Sequence, residues 1–170
     1  MTLRHFVESD LDVLVEYRNI EQVWQYQDWD VPYSHESARR FLDDDLSLFV
    51  RGEWVQIAIE YDSQLVGDLG VKIPQPGETS WLGYSLHPNY WGRGIATGAV
   101  NIATRRMADF GATTVRASVD TRNDASARLL VRCGFTITGD KAPITVRGVD
   151  YLDDVYELAV GFGAVGTDGS

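Results

Sequence analysis

Cysteine is almost missing from this chain, histidine is sparse, and no apolar run extends beyond a few residues. Cys133 alone excludes an internal disulfide and leaves no Cys/His cluster with the spacing of a structural zinc site. His5, His35 and His87 stand far apart, without carboxylate or thiol companions in sequence, so no metal centre is expected. The short apolar runs offer no membrane span, and Met1-Thr2-Leu3-Arg4-His5 lacks the basic-then-apolar pattern of a secretion leader, so the expected location is cytoplasmic. Lys and Arg total 15 against 25 Asp and Glu, a formal charge of -10 that disfavours binding to a nucleic-acid backbone. Gathered near a cleft, that charge would favour cationic substrates; spread over the surface, it serves solubility. Repeats and low-complexity tracts are also lacking. With 170 residues, 44% of them hydrophobic, one core is expected over residues 1–160, and the Gly-rich residues 161–170 read as a loosely held tail.

The informative part of the chain is residues 84–97, Tyr84-Ser85-Leu86-His87-Pro88-Asn89-Tyr90-Trp91-Gly92-Arg93-Gly94-Ile95-Ala96-Thr97. It reads as a strand running through a glycine-broken turn into a helix. Gly92 and Gly94 let the backbone turn sharply, so that several N–H groups converge at the positive end of the following helix, an arrangement suited to phosphate oxygens. A turn built for geometry alone would use the same two glycines. No Lys-Ser/Thr follows them, as a P-loop needs, and no third glycine completes a dinucleotide turn.

The rest of the chain reads as a mixed α/β sandwich around that turn. A strand is expected at residues 3–7, then a helix opened by Ser9 with Asp12 three residues on and carrying Leu11, Leu14 and Val15. A second helix is expected from Ser34, burying Ala38, Phe41, Leu42, Leu46 and Phe49 while Arg39, Arg40 and Asp43, Asp44 and Asp45 face water. Val55, Ile57, Ile59 and Tyr61 alternate with polar neighbours as one strand. Residues 65–73 form the next, and residues 81–86 a third in an antiparallel meander after the Pro74-Gln75-Pro76-Gly77 loop. The helix from Gly94 buries Ile95, Ala99, Ile102, Ala103, Met107 and Phe110 and ends at Gly111; residues 114–119 alternate again. This strand-helix-strand unit implies parallel pairing of the two strands, with a crevice where they splay. A short helix over residues 124–133, capped by Asn123 or Asp124, and strands at residues 135–138 and 151–160 complete the sheet.

On these residues the chain resembles the GNAT acyltransferases, in particular their RimJ/RimL-like protein N-acetyltransferase branch. Trp91-Gly92-Arg93-Gly94-Ile95-Ala96 stands where that family has Gln/Arg-x-x-Gly-x-Gly/Ala, and residues 123–135 resemble its Asn-x-x-Ser segment closing on Gly-Phe. The resemblance implies a GNAT-like, mostly antiparallel twisted sheet with helices on both faces and a splayed central strand pair. It implies acetyl-CoA as acyl donor, its pyrophosphate on the backbone of Trp91, Gly92, Arg93, Gly94, Ile95, Ala96 and Thr97 and its pantetheine arm on the strand near Leu86 and His87. Arg93 would complement phosphate charge or stand as a solvated turn residue; Asn123 would bond the pantetheine side or act as a plain helix cap.

Acetyl transfer to an amine needs a neutral nucleophile, donors for a developing oxyanion, and a proton for the departing thiolate. A backbone N–H on residues 84–87 suits the oxyanion. Ser126 is the proton donor by family match, with a place in the first helical turn as its structural alternative. Where many relatives have a Glu on the strand before the turn and a Tyr in the last helix, this chain has Trp81 and Leu130. Asp68 and Glu78 are therefore the nearest acid/base candidates, against a salt bridge for the first and loop solvation for the second; proximity with solvent collecting the proton is the further alternative. Trp24, Tyr26, Trp29, Tyr33 and Trp54, with Asp28 and Asp30 nearby, suit an ammonium-bearing acceptor such as a peptide N-terminus, a polyamine or an aminoglycoside-like amine, or else form core. Cys133 reads as buried and inert. The resulting expectation is an acetyl-CoA-dependent N-acetyltransferase acting on a primary amine, with transfer of another acyl group such as succinyl, or a CoA-binding module without turnover, as the alternatives. A homodimer is compatible with the chain.

Overall fold

The computed structural model describes residues 1–42, 48–74 and 79–161. Seven strands, β1 (Thr2–Arg4), β2 (Trp54–Tyr61), β3 (Gln64–Lys72), β4 (Ser80–Leu86), β5 (Thr114–Val119), β6 (Thr136–Val146) and β7 (Val149–Ala159), form one sheet in the order β1-β2-β3-β4-β5-β7-β6. Every neighbouring pair is antiparallel except β4 and β5, which run parallel and pair, among the described residues, through Ser80 with Val115 and Trp81 with Arg116. Beyond Trp81 the two strands part, as a strand-helix-strand crossover with a crevice requires.

Alternation along the strands divides the apolar side chains between two layers. On one face, Ile57, Ile59, Leu69, Val71 and Leu82 are buried against Ala99, Val100, Ala103 and Met107 of α4 (Ile95–Asp109), with Leu130 of α5 (Asp124–Arg132) alongside. On the other, Ala58 and Leu65 pack with Phe6 and with Leu14 and Tyr17 of α1 (Leu11–Arg18). Each fully buried Leu or Ile contributes about 1.5–3 kcal/mol relative to exposure. Two shorter helices, α2 (Glu21–Trp24) and α3 (His35–Arg39), follow α1.

Several local readings change. β1 stops at Arg4, whose guanidinium pairs with Asp10 and Glu60. The Asp10 carboxylate, not the Ser9 hydroxyl, takes the Val7 N–H at 2.9 Å where the chain enters α1. Ser34 does cap its helix, accepting the Ser37 N–H at 3.1 Å, but α3 has only five residues before looser turns at Phe41 and Leu42. Asp43, Asp44, Asp45 and Leu46 lie outside the described residues, as do residues 75–78 of the proline loop and residues 162–170 of the tail. The final hairpin is much longer than the strands expected at residues 135–138 and 151–160: it carries Gly139 and Pro143, but β6 is an edge strand, where proline is tolerated, and a register shift between Ile137 and Lys141 absorbs the irregularity. Arg147 and Gly148, at φ 49 and 78, close it as a two-residue turn.

Candidate active site

The His87 N–H bonds the Val66 carbonyl at 2.8 Å, so His87 and, two residues back, Ser85 direct their backbone groups at β3. Tyr84 and Leu86 therefore present theirs to the gap left by β5. The Leu86 carbonyl accepts the Trp91 indole N–H at 2.8 Å and the Tyr84 carbonyl a long contact of 3.5 Å from the Gln27 amide, leaving the two N–H groups as donors facing the gap. Gly92 and Gly94 sit at φ 72 and 76, in the left-handed region that side chains resist, and the space a Cβ would enter at either is open. Gly94 is the N-cap of α4, and no side chain caps the helix, so its first N–H groups point outward.

These features share one cleft of about 820 Å³, within the range that holds a cofactor-sized ligand. Of the residues singled out in sequence for cofactor binding, Leu86, Trp91, Gly92, Gly94, Ile95, Ala96, Thr97 and Asn123 line it. His87 and Arg93 do not. His87 is buried edge-on between Tyr17 and Tyr90, its Nδ1 accepting the Asn89 N–H at 3.1 Å, so it braces the turn from behind. The Arg93 guanidinium lies over the Tyr90 ring at 5.3 Å.

Ser126 lines the cleft in the first turn of α5, its N–H held by the Asn123 side-chain oxygen at 3.1 Å. Its hydroxyl is 2.5 Å from the phenol of Tyr84, which reaches across from β4. Burial pushes the Tyr84 phenol up to about 12, while the bond to Ser126 works the other way. Sequence reasoning missed this pair; the available signal was that Tyr84 alternates with Leu82 and Leu86 onto the face that α5 covers. Asp68 is elsewhere. It is buried on the α1 side, receiving the Tyr17 phenol and the Arg18 guanidinium at 2.5 Å each, and does not line the cleft. Glu78 lies outside the described residues. Cys133 is partly buried near the start of α4, and burial raises its thiol above the usual range.

The opposite wall comes from Gln22, Val23, Gln25, Tyr26 and Gln27 on α2 and the loop after it. Trp24, Trp29, Tyr33 and Trp54 are not part of the lining, nor are Asp28 and Asp30. Trp29 and Tyr33 sandwich Arg18, at 4.2 and 4.9 Å from their rings, and Trp24 is covered by Arg147 from the hairpin tip at 4.7 Å. Among the described residues no group of three or more His, Cys, Asp or Glu is arranged to hold a metal ion.

Residues 1–136 match the family described as acetyltransferase (GNAT) domain. The N-acetyltransferase p20 of Bacillus licheniformis is 29% identical over 148 residues, 82% of this chain and 80% of that protein. Among solved structures, the microcin C7 self-immunity acetyltransferase MccE, in complex with acetyl-CoA and AMP, superimposes with a TM-score of 0.75 at 24% identity, over 89% of this chain and 86% of its own. RimL, a ribosomal L7/L12 alpha-N-protein acetyltransferase in complex with coenzyme A, gives 0.74 at 22% identity over 93% of each chain. At these identities the solved structures establish a shared fold.

Proposed function

Because this chain belongs to the GNAT acetyltransferase family, and is on that footing an acetyl-CoA-dependent N-acetyltransferase, we propose that it acetylates the primary amine of a peptide or protein N-terminus or of a small molecule of similar shape. One observation carries the reading: a single cleft joins the glycine turn, the free edge of β4 and the Tyr84–Ser126 hydroxyl pair. The residues fit the donor. The outward N–H groups at the start of α4 suit its diphosphate, and the Tyr84 and Leu86 N–H groups suit its peptide-like arm or the oxyanion. The occurrence of an alpha-N-protein acetyltransferase among the structural relatives supports a peptide acceptor.

In this reading a neutral amine attacks the thioester carbonyl while a backbone N–H of β4 receives the oxyanion. The C–S bond then breaks, and the thiolate takes a proton from Ser126, whose hydroxyl is resupplied by the Tyr84 phenol. The amine's own proton leaves to solvent, which restores the tyrosine and balances the exchange. Trp81 and Leu130 supply no acid or base, and Tyr84 brings from β4 the phenol that Leu130 does not bring from α5. Because that phenol keeps its proton up to about pH 12, it stays loaded as a donor throughout the working range.

Mass spectrometry of peptide and small-amine panels incubated with acetyl-CoA tests the proposal, with succinyl-CoA in parallel. Acetylated product supports it. Exclusive succinylation would redefine the donor, and tight binding of acetyl-CoA with no product from any amine would reduce the protein to a binding module.

A further inference from the structure

Free aromatic faces near the cleft would welcome an ammonium group, but the protein's own arginines occupy those of Trp24, Trp29 and Tyr33 behind its wall and approach that of Tyr26 in its lining. Arg18 fills the space between Trp29 and Tyr33, Arg147 covers Trp24, and Arg122 lies 5.8 Å from the Tyr26 ring and 4.8 Å from that of Tyr151. Of these three, Arg122 lines the cleft. Asp120 grips it from behind, accepting from Nε at 2.9 Å and from Nη2 at 2.5 Å; this bidentate pair engages two of five guanidinium N–H donors and fixes the orientation of the rest. The Asp120 side chain is only 9% exposed, and neither it nor the buried Asp153 beside it is part of the lining, so a ligand meets the guanidinium rather than the carboxylates. Arg132 also lines the cleft, against a single carboxylate, Asp124, while the facing wall presents the neutral amides of Gln22, Gln25 and Gln27. A chain of formal charge -10 thus lines this cleft mainly with cations and amides.

Resting on the acetyltransferase reading above, we infer that the acceptor is an amine bearing an anionic group close to its nitrogen, received by Arg122. A free α-amino acid and the N-terminus of an acidic peptide share this chemistry. A polyamine does not, since its second cation would face Arg122.

The experiment compares steady-state acetylation of matched acceptors by the wild type, Arg122→Gln and Arg122→Lys: phenylalanine with phenethylamine, the peptide Ser-Asp-Glu with Ser-Lys-Lys, and spermidine. The anionic member of a pair is expected to have a kcat/KM about 10-fold to 100-fold higher, mostly through KM, as one charge-assisted contact allows. Arg122→Gln should bring the members of each pair to within about 3-fold, and Arg122→Lys should keep part of the preference. The amino-acid and peptide arms identify the source of the anion. Equal use of paired acceptors, preference for spermidine, or an unchanged preference in Arg122→Gln overturns the inference while leaving the enzyme an acetyltransferase. A thermal shift with acetyl-CoA but no product from any acceptor removes both.

Discussion

Arg18 and Asp68 carry opposite charges in a nearly dry setting, stacked over by Trp29, Tyr33 and Phe41 and bonded by Tyr17. Burial works against the Arg18 charge, but the adjoining carboxylate outweighs it and holds the guanidinium protonated. Arg18→Met should cost about 3–5 kcal/mol in urea unfolding because it strands a buried carboxylate, and Arg18→Met with Asp68→Asn should recover much of the loss. Tyr84 gives a pH dependence. Its folded phenol titrates near 12 against 10.0 ordinarily, so its contribution is complete below pH 10 and is lost as the pH rises toward 12. The decline should amount to roughly 2–3 kcal/mol for this group, in the same direction as buried Tyr17, and Tyr84→Phe should reduce the slope in alkaline unfolding scans. In turnover, Ser126→Ala and Tyr84→Phe should each lower kcat about 100-fold with little change in acetyl-CoA affinity. The double variant should be scarcely slower than either single one if the hydroxyls act as one relay, whereas multiplied losses would separate them.

At the scale of elements, the turn into α4 is the most demanding piece of backbone. Gly94→Val places a branched side chain at φ 76 and in the open space before the helix, so acetyl-CoA affinity should fall at least about 100-fold while the circular dichroism of the fold survives; unchanged affinity by calorimetry would refute this. This turn, α4 and the parting of β4 from β5 were legible in the sequence because they depend on near neighbours: two glycines, a helical apolar stripe, and strands on either side of it. The bond between Tyr84 and Ser126 was not, since it spans 42 residues and depends on where α5 settles over the sheet. Likewise the arginine stacks need the finished fold, Arg147 meeting the backbone of Trp24 from 123 residues away. The length of the last hairpin was hidden by breakers that only an edge strand accommodates.

Across the whole molecule, an early and a late segment of the chain converge on the wall proposed to receive the acceptor. The hairpin tip between β6 and β7 reaches the α2 loop, where Arg147 donates to the carbonyls of Trp24, Gln27 and Trp29 at 3.3–3.5 Å. Arg147→Ala should loosen that wall, raising the acceptor KM about 3-fold to 10-fold with acetyl-CoA affinity unaltered, which initial-rate kinetics would detect. No helix among the described residues is long and apolar enough to cross a membrane. Among the described residues, two ladder pairs join β4 to β5 within the sheet. The architecture is thus a ladder with rungs left out, and in the proposed binding mode a donor arm lying between those rails would supply them, finishing the sheet on loading and undoing it on release.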